Sequence, residues 1–278
     1  MAAEKKIESY LLTATAHKTS LEAYSKCPAE AFLLFVCDAY DAFHHCENKF
    51  TKKNDGDYNK DSEDSLRHIS CAIIGSLMGH FETYQKSLFA GLVDFSVNFP
   101  LFDSEAFIKH FSKHCGGDIS VQVSRLLALR GAQAQAGYVI SDSLSGWHNP
   151  KRVNAFFKSL EIKKDVLTAN HISDLELLWQ LRHSIVHTGA WFSLPDSQKV
   201  KRLSKFGNKP IVLEFSFINA LCRKFHQIVK HANGVLKSDC TSLLGAAPEK
   251  DVTKKLNAFL AVTSPKNQWL SPVTSVTK

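Results

Sequence analysis

Glycine and proline are scarce, 13 and 8 in 278 residues, and that scarcity argues against a turn-dense β architecture. No CxxC pair occurs. The seven cysteines (Cys27, Cys37, Cys46, Cys71, Cys115, Cys222 and Cys240) are odd in number and scattered, so they read as reduced, mostly buried thiols. A disulfide framework or a zinc ribbon is thereby excluded. The most apolar runs, "AEAFLLFVC" and "CAIIGSLMG", are each about half the ~20 residues that a membrane helix requires. The opening "MAAEKKIESYLL" lacks the apolar h-region of a secretory signal. Neither "GGD" nor "GAQAQAG" carries the Lys-Ser/Thr of a phosphate loop, and no GxSxG elbow occurs. These absences lead to the expectation of a cytoplasmic, mostly helical protein with no membrane span.

What is present supports a folded core. Hydrophobic residues make up 44% of the chain, including 19 Phe, too many for a disordered polymer. The charge is uneven. The whole chain carries +7, yet the stretch from Lys199 onward holds 14 basic and 4 acidic residues, a net +10, leaving −3 for residues 1–198. A clustered positive field suits a polyanion, RNA above all, although lysines that merely keep a surface soluble explain the same count.

Apolar spacing of three and four predicts an all-α fold. Two helices over 7–26 and 28–47 form an N-terminal hairpin broken at "CPAE", followed by a charged loop over 50–64. A long helix over 62–96, its start capped from among Asp61–Asp64, carries Leu66, Ile69, Ile73, Leu77, Phe81, Tyr84, Leu88 and Leu92. Further helices are expected from Asp103 or Ser104 to "HCGGD", over 119–141, over "KRVNAFFKSLEI", over 173–186 and over "FINALCRKFHQIVKHANGVL". "LPDSQKVKRLSKFGNKP" reads as a basic loop and "IVLEFSF" as one short strand. The chain then divides into 1–61, a helical domain over 62–237, and a basic, loosely ordered tail over 238–278 with one weak helix near 250–262.

Within the 173–186 helix, "LRHSIVHTGAW" places Arg182, His183 and His187 just ahead of Gly189, a natural helix terminator. His183 and His187, four apart, share a face, and a long arginine at a helix end can swing toward them. Arginine grips phosphate with a fixed fork of donors, and histidine exchanges protons near neutral pH. That is what metal-free RNA cleavage requires, because the ribose 2′-OH supplies the nucleophile. Three other readings compete: a helix end that merely satisfies its dipole, histidines that simply pack, and a zinc site. The last is weakened because "HSIVH" lacks the glutamate of HExxH. "HFSKHC" and "FHHC" bring His110, His114, Cys115, His44, His45 and Cys46 into local clusters, but no spacing enforces a metal site.

"WQLRHSIVHTGAW" resembles the signature of the HEPN superfamily: Arg182, a polar slot filled by His183, then His187 and a small residue at Gly189. Asparagine is commonest in that slot, so His183 is a departure. "GHFETYQKSLFAGLVD", "GWHNPKRVNAFFKSLEI" and the "FINALCRKFHQIVKHANGVL" helix resemble, in order and spacing, the RiboL-PSP-HEPN branch over about residues 62–237. The resemblance implies an antiparallel helical bundle that pairs as a homodimer around a shared cleft. It also implies a metal-independent endoribonuclease that needs no cofactor and leaves cyclic phosphate ends. Arg182, His187 and His183 are then catalytic, the partner is RNA, and an antitoxin or defence-system protein is a second partner, as in toxin–antitoxin and abortive-infection systems. Lys201, Arg202 and Lys205 in the basic loop are candidate substrate-binding residues, and Glu82 on the long helix a candidate to orient Arg182. The competing expectation is a non-catalytic RNA-binding or scaffold module that keeps the same groove.

Overall fold

The structure is a computed structural model that describes residues 21–115, 136–246 and 248–271. Among these the chain is mostly helical. The helices are α1 (Leu21–Lys26), α2 (Pro28–Lys49), α3 (Lys60–Phe95), α4 (Ser104–Cys115), α5 (Ala136–Ser143), α6 (Pro150–Lys158), α7 (Ala169–His187), α8 (Leu194–Gln198), α9 (Ser216–Leu243) and α10 (Lys250–Phe259). A two-stranded antiparallel ribbon joins β1 (Trp191–Phe192) to β2 (Lys209–Pro210), with Trp191 opposite Pro210. No helix among the described residues is long and apolar enough to cross a membrane.

The helix starts follow local chemistry. Proline opens both α2 and α6, where its missing N–H costs nothing. The long helix begins slightly earlier than expected: Asn59, not a residue of Asp61–Asp64, is the cap, its side-chain oxygen accepting from the Ser62 N–H at 2.8 Å. The helix over 173–186 also begins early, at Ala169, because Thr168 and His171 cap each other reciprocally. Most of the helix expected over 119–141 lies outside the described residues, and so does most of the one expected over 7–26.

Interlocked rings make the core. Phe32 of α2 packs against Phe81 and Tyr84 of α3 and edge-on against Phe225 of α9, with centroids 5.3–5.6 Å apart. Phe89 of α3 similarly meets Trp147, Phe156 and Phe157. Such pairs bury large apolar areas and favour offset or edge-on contact. Polar links cross this core with their groups satisfied. The Tyr84 hydroxyl donates to Asn233 at 2.6 Å, and Asn233 donates in turn to the Leu260 carbonyl.

Two expectations are revised. The segment beyond Ser238 is not loose through Ser271. Leu256, Leu260 and Trp269 are buried in the same apolar cluster as Tyr24, Phe32 and Phe81, and Ser264 lies 2.7 Å from the buried His226 ring. Apolar side chains spaced among the lysines supply the attachment that composition conceals. The strand expected over "IVLEFSF" is instead Lys209–Pro210, and α9 begins at Ser216. Beyond Ile211, which donates to the Ala190 carbonyl, no strand pairing among the described residues continues the ribbon.

Candidate functional site

Helix α7 presents two faces. Leu175, Leu178 and Leu181 are buried. Glu176, Gln180, His183 and His187, spaced four, three and four apart, form a polar stripe ~16 Å long at 1.5 Å per residue. This stripe, with Arg182, lines an open cleft of about 800 Å³ completed by His148, Asn149, Pro150, Lys151, Lys199 and Val200. All three motif side chains therefore reach one solvent-accessible space.

The helix ends abruptly just past them. Gly189 adopts φ +65° and Ala190 φ +64°, and the N–H groups of Thr188 and Ala190 both donate to the Ser184 carbonyl, at 3.1 and 3.2 Å. The left-handed residues turn the chain into the ribbon and leave His187 exposed at the terminus.

Inside the cleft the rings of His183 and His187 lie 4.7 Å apart at 43°. His183 Nε2 stands 3.7 Å from Asp196 Oδ1, an ion-pair distance rather than a hydrogen bond. Asp196 is itself anchored: Ser193 Oγ donates to it at 2.7 Å and Lys199 Nζ at 2.7 Å. The Lys199 hydrogen bond, then that of Ser193, holds its carboxyl below the ordinary carboxylate range, so it is a fixed negative charge beside the histidine pair. Arg182 forms no ion pair among the described residues. At the opposite end of the stripe, Glu176 lies 3.3 Å from Lys151. Trp179, also in the lining, is buried, its Nε1 without a hydrogen-bond partner among the described residues.

Several expected participants lie elsewhere. Glu82 does not orient Arg182; it pairs with Lys86 one turn along α3, at 2.7 Å. Lys201, Arg202 and Lys205 do not line the cleft. Arg202 is bound to Asp174 at 2.8 Å and to Ser173 Oγ at 3.3 Å, an attachment set by how the 3₁₀ turn Lys201–Phe206 folds onto α7. The basic loop is thus structured, with α8 and that turn inside it. Its charge reaches the cleft through Lys199, and Lys151 supplies the second lysine.

Set beside known protein families, curated proteins and solved structures, the chain matches none of them. The site must be judged on its own residues.

Asp196, Lys199, Lys151 and Trp179 went unread in the sequence. A signal for Asp196 did exist: "SLPD" is a Ser-x-x-Asp helix start with proline in its first turn. What a linear reading lacks is the fold of that short helix back against His183. Of the side clusters, His44 pairs with Glu47 at 3.1 Å and rests on the Tyr40 ring. The side chains of His114 and Cys115 lie outside the described residues. Among those described, no group of three or more His, Cys, Asp or Glu converges as a metal site.

Proposed function

We propose that this protein is a metal-independent endoribonuclease of HEPN type. The observation that carries the reading is the joint opening of Arg182, His183 and His187 onto one cleft, with Arg182 free of any carboxylate among the described residues. A helix end that only satisfied its dipole would not need two adjoining imidazoles beside an anchored aspartate.

In the proposed reaction, an RNA phosphodiester sits against the Arg182 guanidinium and Lys199. His187 accepts the 2′-OH proton as the 2′-oxygen attacks phosphorus, and water protonates the departing 5′-oxygen, leaving a 2′,3′-cyclic phosphate and a 5′-hydroxyl. His183, its ring 4.7 Å away, holds His187 in position. Arg182 and Lys199 stabilise the charge that grows on the phosphoryl oxygens. Asp196 keeps the His183 ring in place. We assign such an activity to a toxin or defence effector, whose partner would be an antitoxin or sensor protein.

Purified protein incubated with labelled RNA in EDTA should cleave it and leave cyclic phosphate ends. Loss of cleavage on chelation, restored by Mg²⁺, refutes the mechanism. The scaffold reading also has support. Val186 near the end of α7, Trp191 on the ribbon, Leu194 at the start of α8 and Val212 just past β2 are each about half exposed, apolar side chains suited to a partner. Binding of RNA with no cleavage under any condition would favour it.

A further inference from the structure

A second depression, of about 580 Å³, shares no residue with the Arg182 cleft. It forms where the first turn of α7 meets the middle of α9, and its polar lining comes mainly from Lys164, Thr168, His171, Gln227, Lys230 and His231. Gln227, Lys230 and His231 share one face of α9 by their spacing of three and four. No aspartate or glutamate lines the space.

The protons in it point one way chemically. His171 Nδ1 accepts the Thr168 backbone N–H at 3.4 Å, so the neutral ring carries its hydrogen on Nε2 and is a donor there. Burial, then the neighbouring His231 and Lys224, push the His171 pKa down to about 4, which keeps that ring neutral. The His231 ring stands nearly edge-on to it, centroids 5.1 Å apart, and its Nε2 is buried with no hydrogen-bond partner among the described residues. Lys230 commits one proton to the Leu270 carbonyl at 2.7 Å and retains two. No carboxylate among the described residues pairs with the Lys164 ammonium; Asp239, just outside the lining, accepts the backbone N–H groups of Lys163 and Lys164 at 2.8 and 3.1 Å. Asp174, which acts on His171 electrostatically, is already spanned by Arg202 and Lys224 at 2.8 and 2.9 Å.

A cation finds nothing here: the lysines repel it, and the His171 lone pair is taken by the helix cap. The geometry points to a phosphate-binding site, in which His171 Nε2–H, the His231 ring, Lys164 and Lys230 hold a phosphate group from an RNA backbone or a nucleotide terminus. Its width exceeds that of a lone ion, leaving room for the sugar attached. His171 precedes His183 by twelve residues, so the two sites stand ~18 Å apart along the α7 axis. This assignment does not depend on the nuclease reading.

The test follows the imidazole ring signals of His171 and His231 by NMR. Inorganic phosphate should shift them saturably, while sodium chloride at matched ionic strength should not. Lys164→Ala, a change at an exposed side chain, should weaken phosphate binding about tenfold without unfolding the protein, the usual order for one charge-assisted contact. A 2′-O-methyl oligoribonucleotide without a terminal phosphate separates the two sources. If it moves the same rings and competes with phosphate, the ligand is the RNA backbone; if only phosphate and a 5′-mononucleotide do so, it is a terminal phosphate. Rings that stay still in phosphate, or that move equally in chloride, overturn the site.

Discussion

At the scale of single residues, Arg182 and His187 differ from their helix neighbours in being dispensable for packing. Leu178 and Leu181 are buried, whereas His187 is exposed and Arg182 only partly covered. Arg182→Ala and His187→Ala should therefore each lower RNA cleavage by ~10²-fold or more while the circular dichroism of the helices stays unchanged. Unfolding of either variant would mark the residue as structural. His183→Asn, which places the commoner HEPN residue beside Asp196, should keep most of the activity, because an amide can still be held there. The motif was legible in the sequence because its spacing alone puts two histidines on one face. Asp196 was not, because nothing local says that a side chain thirteen positions beyond His183 returns to it.

At the scale of elements, α7 works because it stops. Gly189 has φ +65°, yet a Cβ added there would meet nothing within 4 Å. Gly189→Ala should consequently cost only the backbone strain of a left-handed alanine, about 1 kcal/mol, with no clash to add to it. Urea denaturation would measure that loss, and cleavage should fall further than stability, since the His187 end of the helix would be less firmly placed. A stability change near zero would mean that the turn tolerates either residue. Helix α9 acts differently, as the element around which others close. Its His226 donates from Nδ1 to the Cys222 carbonyl at 2.9 Å and accepts the Ser264 hydroxyl on Nε2 at 2.7 Å, joining the C-terminal segment to the core.

At the scale of the whole molecule, two predictions follow. Burial pushes the pKa of both His171 and His226 down, to about 4 for His171. Each binds its proton more readily in the unfolded chain, so the stability they contribute is full above the ordinary imidazole value of 6.5 and is lost as pH falls toward the folded value. Denaturation midpoints should drop between about pH 7 and about pH 5, and His171→Gln should flatten part of that slope. A profile level across that range would show that neither ring is held neutral. The second prediction concerns assembly. One α7 end offers a phosphate its groups from one side only, and the exposed Val186, Trp191, Leu194 and Val212 beside it suit a self-complementary interface. A homodimer should form, with the motif helix and the long α3 helix in or near the interface. Mixing Arg182→Ala with His187→Ala chains should restore part of the cleavage if each site draws on both chains. A monomer by light scattering that still cuts RNA at full rate would refute the shared cleft.

By itself the sequence determined that the chain is mostly helical, roughly where α2, α3, α6, α7 and α9 run, and which turn of α7 gathers arginine and histidine. These are short-range properties: a periodicity of 3.6 residues, a proline at a helix start and a glycine at its end act within a few positions of themselves. Tertiary structure decided which charges meet. It gave Arg202 to Asp174, and Lys199 and Lys151 to the cleft. It also set His171 beside His231 and drew Trp269 into the core against His226 and Tyr40. Those side-chain pairings join residues from 28 positions apart, Asp174 and Arg202, to 229 apart, Tyr40 and Trp269. They depend on how apolar faces pack in three dimensions, and the charged residues are carried to their partners by that packing rather than by any pattern of their own.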